Sequence, residues 1–400
     1  MDKPTILFIS KFIPAPTFDG GALRTKAWLE FLLKKYHVVL VGFWNKKYGD
    51  EQLADLKHDN LEIHGVNFKT NLLKKFYLLF KLLFLNKSFL LCQYYNKQLE
   101  KKVFEIIDRN KIDFVFCSEL STMQYINGLD KNLPIYFDDH NVEFRLIERM
   151  SENQHGLKKF ILCKESKLVK NFEYRCVKNS TKTFVVSRVD KEFLFNSFDI
   201  ERENIEVVNN VFADHGGFKQ NNLSNVPRLV FVGNLNWAPN KDGLSRFLTN
   251  IFPKVLKEIP NIELDILGSN LPRIIVNRTK DLPVNFLEEI SNKDKEKTIS
   301  SAWIGIVPLY FASGSRIKIL EFWSHGKCVV TTNVGLEGLP CPDGTLTADS
   351  DQEFVDQLIN ILKHKEKLQT LGSSNYLVFK QNYLKKVVYE DTLYNTFSAE

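Results

Sequence analysis

Cysteine is sparse in this chain and unpaired in its spacing. The six residues Cys92, Cys117, Cys163, Cys176, Cys328 and Cys341 lie scattered, with no Cys-x-x-Cys pair. That pattern excludes a disulfide-stapled scaffold and a cysteine-ligated metal site, and it fits reduced thiols in the cytoplasm. Long apolar runs are missing too. The most hydrophobic stretch, residues 71–95, is interrupted by Lys74, Lys75, Lys81 and Lys87, so it falls short of the ~20 apolar residues that a spanning helix needs. Neither sign of charge dominates. With 54 basic against 48 acidic residues the net charge is +6, too even for a nucleic-acid partner but compatible with anionic small molecules or a lipid surface. The acidic pair Asp349-Ser350-Asp351 reads as a helix cap. The amino-terminal MDKPTILFISKF has an apolar run too short for a signal-peptide core and reads as a first strand.

What is present is a plan that runs twice. A strand over Thr5–Ser10, a loop ending in Gly20-Gly21, a helix over about 22–35 and a strand over His37–Phe43 make one βαβ unit. Buried strands follow at DFVFCS (113–118) and PIYFD (134–138), then a helical region to about Lys178, the strand TFVVS and a helix begun by Ser187. The Asn- and Gly-rich segment 209–227 lacks periodicity and is placed between domains. From Arg228 the plan restarts with strand RLVFVG, loop NLNWAPNKDG, a helix over about 244–257 and strand IELDILG. This is an α/β chain of two Rossmann-like, doubly wound domains facing each other across a cleft. The boundaries are 1–208 and 209–381, and the amphipathic segment 382–400 is expected to pack back on the first domain.

The stretch 308–338 carries the most chemistry. A strand, an Ala-Ser-Gly-Ser turn, a helix ending at His325-Gly326 and the strand CVVTT form a phosphate-binding αβ unit. Arg316 and Lys318 fall in the first turn of that helix, where the partial positive charge of the helix end disfavours cations. An anion would offset the cost, and a broken local rule marks a site. Gly20 and Gly21 sit at the carboxyl end of the first strand with Arg24 one turn on, where open parallel sheets bind ligands; a plain turn is the other reading. His140 ends a parallel strand and faces a ligand or serves as a structural histidine. Residues 72–91 form either an interfacial helix with a lysine edge or a core helix.

These residues carry a family resemblance. GSRIKILEFWSHGKCVVTTNVGLEGL (314–339) resembles the donor-binding signature of GT-B fold, family 4 ("group 1") glycosyltransferases, in the branch with a Gly-x-Arg-x-Lys-x-x-Glu pattern. Gly314, Arg316, Lys318 and Glu321 match that pattern. GNLNWAPNKDG (233–243) is similar to the phosphate loop, VVNNVF (207–212) to the segment at the domain link, and DDHNVE (138–143) fits the strand end. Ser313 stands where the commoner signature has its first glutamate, and Val211 where glycine is usual.

The resemblance implies a hexosyltransferase-type, retaining, metal-independent glycosyltransferase. It would move a sugar from a nucleoside-diphosphate sugar to a saccharide or lipid-linked acceptor in cell-surface polysaccharide biosynthesis. Arg316 and Lys318 would stabilise the departing diphosphate, with Lys241 reaching the same phosphates, and His140 would contact the sugar or the incoming hydroxyl. Gly20, Gly21, Arg24, Asn210, Gly233, Asn234, Ser313, Gly314 and Ser315 would line the donor, and Glu321 would accept from the ribose hydroxyls. No cofactor or metal is expected beyond the nucleotide sugar. The expected location is cytoplasmic, with peripheral contact to the inner face of an anionic membrane through 72–91. A same-fold nucleotide-sugar 2-epimerase and a non-catalytic glycan- or nucleotide-binding module remain as alternatives.

Overall fold

Apolar runs too short for helices become the strands of two parallel sheets, and the amphipathic runs between them become the crossover helices. The computed structural model describes every residue except 1–2, 16–19, 45–52, 55, 130–131, 153, 199, 289, 313, 315, 392 and 394–400. It divides into two units, Met1–Val208 and Asn209–Glu400.

The first unit opens with β1 (Thr5–Phe12), α1 (Gly20–Leu32), β2 (His37–Trp44) and β3 (Leu61–Asn67). Then come α2 (Leu72–Leu85), α3 (Phe89–Tyr94), α4 (Lys97–Arg109), β4 (Phe114–Ser118) and β5 (Ile135–Asp139). It closes with α5 (Glu143–Glu152), α6 (Gly156–Asn179), β6 (Lys182–Val185), α7 (Arg188–Ser197) and β7 (Ile205–Val207). The sheet order is β3-β2-β1-β4-β5-β6-β7. Thr5 aligns with His37 and Ile6 with Phe114. Trp28 of α1 lies fully buried with its ring 4.9 Å from Phe116 and 4.8 Å from Phe184, fastening that helix across the strands.

The second unit begins with β8 (Arg228–Asn234), α8 (Ala238–Arg246), α9 (Phe252–Glu258) and β9 (Glu263–Ser269). It continues through α10 (Arg273–Arg278), β10 (Val284–Glu288), α11 (Asn292–Ser301), β11 (Ile304–Val307) and α12 (Ile317–Ser324). It ends with β12 (Cys328–Thr331), α13 (Asn333–Leu336), β13 (Thr345–Thr347), α14 (Asp351–Leu362) and α15 (Leu368–Asn382). Its sheet order is β10-β9-β8-β11-β12-β13. Phe212 N donates to Tyr383 O, so the start of this unit is tied to the end of α15.

Three local departures from the sequence reading have physical causes. The helix after β8 starts at Ala238, because Pro239 is preset for a first helical turn, and a π-turn over Phe247–Ile251 separates it from α9. Gly243 lies inside α8 because a Cβ there would sit 1.8 Å from Pro308 O. Residues 71–95 are two helices, broken where Asn86 adopts the left-handed conformation at φ 50 and Ser88 caps α3.

Candidate functional site

In the second unit the cations converge at the carboxyl ends of β8 and β11. Gly314 has φ 75, a conformation that glycine adopts without steric cost, and it leads into Arg316, the N-cap of α12. Arg316 is buried, and its guanidinium carbon lies 5.8 Å from the ring centre of Trp237 in the loop after β8. Lys318, one position into α12, donates from Nζ to Asn240 Oδ1 at 2.5 Å and lies 4.9 Å from the Phe231 ring centre. Asn240 in turn donates from Nδ2 to Asn234 O at 2.9 Å. A Cβ on Gly233 would meet Asn240 Nδ2 at 2.6 Å and Lys318 Nζ at 3.1 Å, so the strand-end glycine makes room for this junction. Burial, and then the neighbouring Arg316, push the Lys318 amine down to about 7, with Glu321 opposing. An amine held that far below its ordinary value is poised to regain a proton when an anion arrives.

Glu321 is buried on α12, and its Oε1 pairs with Lys295 Nζ of α11 at 2.6 Å. Lys295 has no sequence signature; only the fold brings it to Glu321. Lys241 differs from expectation. Its side chain is exposed on α8, and the adjacent Asn240 is the one directed at Lys318, because successive helical residues point about 100° apart. Asn234 builds the loop itself, accepting from Asn236 N and Asn270 Nδ2. Asn210 is buried at the start of this unit. Ser313 and Ser315 lie outside the described residues. Asp349 and Asp351 hold Asn333 and Arg246 respectively, while Ser350 and Glu353 form a capping box, so that acidic pair is committed to structure.

In the first unit Gly20 and Gly21 begin α1, and Arg24 follows on its buried face. The assignment of Arg24 to a donor needs correction. Its Nε reaches both carboxylate oxygens of Asp138 at 3.0 and 3.1 Å, Nη2 reaches Oδ1 at 2.5 Å, and Nη1 donates to Val208 O at 2.8 Å. With its fork engaged inside the core, Arg24 is a support for Asp138. Asp138 then accepts from His140 Nε2 at 2.8 Å, and that nitrogen also lies 3.0 Å from Ser118 Oγ. Burial would raise the Asp138 carboxyl, but Arg24 and His140 outweigh it and hold the group below its usual range. Asp138 and Ser118 thus fix the His140 ring, a role that no spacing in the sequence announced.

Removing one member of so buried a pair strands the other charge. Arg24→Met should lower the unfolding free energy at pH 7 by about 3–5 kcal/mol, read from denaturant midpoints; a change below about 1 kcal/mol, the size for an exposed pair, would contradict the geometry. Because the folded Asp138 carboxyl is depressed, its contribution is complete above the ordinary carboxylate value and fades as pH falls through the folded one.

Residues 226–364 match the family model described as Glycosyl transferases group 1. An uncharacterized 44.6 kDa protein in the cps region of Klebsiella pneumoniae is 26% identical over 169 residues, which cover 40% of this chain and 44% of that one. The matched part thus spans less than half of that curated relative. Among solved structures, sucrose-phosphate synthase from Thermosynechococcus elongatus aligns with a TM-score of 0.74 at 13% identity, covering 98% of this chain and 99% of that one. Anabaena HepE, solved with UDP and glucose, gives 0.68 at 11% identity over 98% and 99%. WaaG, a glycosyltransferase involved in lipopolysaccharide biosynthesis, gives 0.68 at 14% over 98% and 100%. The chain has the GT-B fold, and its residues 226–364 are similar to the Glycosyl transferases group 1 family.

Proposed function

We propose that this protein is a retaining glycosyltransferase that takes a sugar from a nucleoside-diphosphate sugar, without a metal, and gives it to a saccharide or lipid-linked acceptor in cell-surface glycan biosynthesis. The observation that carries this reading is the convergence of Arg316 and Lys318 at the start of α12, beside Gly314 and Gly233. When the glycosidic bond breaks, negative charge grows on the leaving phosphate, and fixed cations aimed there stabilise the transition state more than the ground state. Arg316 supplies a planar fork for phosphate oxygens and Lys318 a compact charge. Glu321, little more than one turn on, accepts from paired ribose hydroxyls, with Lys295 holding its carboxylate. In a retaining transfer the hydroxyl enters on the leaving-group face, and a phosphate oxygen takes its proton. HepE with UDP and glucose, WaaG in lipopolysaccharide biosynthesis and the cps-region relative support the substrate class and the glycan setting.

The same reading extends to a membrane-borne acceptor. On α2 only Leu78 and Leu82 are buried, whereas Leu73 is 79% and Phe84 69% exposed, and Leu72, Phe76, Tyr77, Phe80 and Leu85 are exposed as well. Lys164 Nζ of α6 donates to Leu83 O near the end of α2, and Glu165 of α6 accepts from Ser88, Phe89 and Leu90 at the start of α3. No helix among the described residues is long and apolar enough to cross a membrane. An apolar face bordered by Lys74, Lys75 and Lys81 matches the boundary of an anionic bilayer, which we propose as a peripheral contact through 72–91.

A panel of UDP-, GDP-, ADP- and dTDP-sugars is expected to yield one that binds and turns over in chelator, with its anomeric configuration retained. Arg316→Ala should cut turnover by about 10²-fold, and Glu321→Ala should weaken nucleotide binding. No bound nucleotide sugar, an epimerised donor formed without acceptor, or variants equal to wild type would sink the reading. For the membrane contact, the protein should float with phosphatidylglycerol-containing liposomes and lose that association when Phe76, Phe80 and Phe84 become serine; flotation unchanged by the substitutions would refute it.

A further inference from the structure

Lys318 and Glu321 stand three apart on α12, the spacing at which an ammonium and a carboxylate on one helix meet. The structure does not make that pair. Glu321 Oε1 instead takes Lys295 Nζ of α11 at 2.6 Å, while Lys318 Nζ donates to the neutral amide oxygen of Asn240. Among the described residues Lys318 forms no ion pair. The carboxylate that α12 offers Lys318 is thus neutralised from another helix.

This choice of partner is enforced by the way α11 and α12 are fastened side by side. Ser291 caps α11 by accepting from Asp294 N at 3.1 Å, which puts Lys295 at the end of its first turn. At the far end of α11, Ser300 Oγ lies 3.1 Å from His325 Nδ1, and Lys327 Nζ donates to Ser300 O at 2.6 Å and to Ala302 O at 2.9 Å. Lys295 meets Glu321 and, a little further along both helices, Ser300 meets His325, so the two run in the same direction and the contacts at their ends set the register in which Lys295 reaches Glu321. The Glu321 side chain is only 8% exposed. A carboxylate so placed needs a cation, and without Lys295 the nearest candidate on its own helix is Lys318.

We propose that Lys295 is a positioning residue for the anion site: by holding the Glu321 carboxylate it withholds from Lys318 the counter-ion of its own helix, and so keeps that lysine open for a phosphate oxygen. The inference rests on the nucleotide-sugar reading for the identity of the anion and adds to it a residue that acts on Lys318 through Glu321. With Lys295 on Glu321, Lys318 joins Arg316 in presenting positive charge at the start of α12. With Lys318 on Glu321, that charge would be cancelled, and carboxylate oxygens would stand where phosphate oxygens bind and would repel them. The charged groups around the Lys318 amine fit this division. Burial and then Arg316 lower it, Glu321 opposes them, and Lys295 lowers it further. Asn240 from α8 and Phe231 from β8 complete its surroundings and carry no charge.

The test uses the full chain with its lysines carbon-13-labelled beside the amine, and follows the Lys318 signal, assigned through Lys318→Arg, by NMR against pH without ligand. In the wild-type protein it should titrate near 7. Lys295→Met lets Glu321 turn to Lys318, so the titration should rise by about one pH unit or more and the affinity for inorganic pyrophosphate, read by calorimetry, should fall about tenfold. Lys295→Gln, which can still hydrogen-bond Glu321 and so disturbs folding less, should shift the titration in the same direction, and Lys295→Arg should keep the wild-type values. In a Glu321→Gln background Lys295→Met should move the titration less than half as far, because no carboxylate is left to turn. The proposal is overturned if neither Lys295→Met nor Lys295→Gln raises the Lys318 titration, if Lys295→Arg raises it as Lys295→Met does, or if the rise in the Glu321→Gln background is half as large or more, the mark of direct repulsion by Lys295. Failure of the nucleotide-sugar reading looks different: no nucleotide binds wild type, while the ligand-free Lys318 titration still shifts in this Lys295- and Glu321-dependent way.

Discussion

Two cations held at the positive end of a helix, largely out of bulk water, are the constraint around which the second unit is arranged. The dipole of α12 disfavours Arg316 and Lys318, their mutual repulsion adds to the cost, and burial adds again. Much of the local structure serves to hold them there. Gly314 turns the chain into the helix at φ 75, Gly233 leaves space above the lysine, Asn240 receives its proton donor, and Trp237 lies across the guanidinium. The arrangement costs electrostatic free energy that an anion releases, Glu321 already offsetting part of it at Lys318. A bound diphosphate would do so, and its charge is greatest as the sugar departs.

The first unit solves a different problem. Its sheet ends in carboxylates, Glu119, Asp138 and Asp139, at the place where a parallel sheet presents a binding edge. Alternation along β5 sends the last two to opposite faces. Asp138 meets Arg24 and His140. Asp139 lies near Glu173, which accepts from the backbone amides at the start of α5; burial, and the charge of neighbouring carboxylates, raise both carboxyls, that of Glu173 to about 8. Asp138 thus orients a histidine, Asp139 lies buried beside the Glu173 that braces α5, and the third, Glu119, pairs with Lys11.

The strand, glycine turn and helix around residues 308–338 were legible from the sequence, because each follows from local rules: β-branched runs, a glycine that alone takes the left-handed conformation, and a helix stop at Gly326. The misplaced cations were legible for the same reason. What the sequence could not show are partners brought together from far along the chain. Lys295 lies on a different helix from Glu321, Asn240 shares a helix with the exposed Lys241, and Lys11 is separated from Glu119 by the whole first half of the unit. Arg24 misled for a related reason, since its spacing from Gly20-Gly21 is that of a ligand-facing arginine while its actual partner, Asp138, ends another strand.

We read the Arg316–Lys318 junction as a diphosphate site whose lysine, lowered to about 7 by burial and Arg316, is partly deprotonated near neutral pH. Its most direct test is calorimetry of UDP binding at pH 8 in two buffers of different ionisation enthalpy. With the free amine at about 7 and the diphosphate returning it toward its ordinary value of about 10.4, binding should take up close to one proton. The affinity should fall as pH rises from 7 to 9, and Lys318→Met should abolish the uptake. UDP binding with no proton uptake, or with the same uptake in Lys318→Met, would contradict the account.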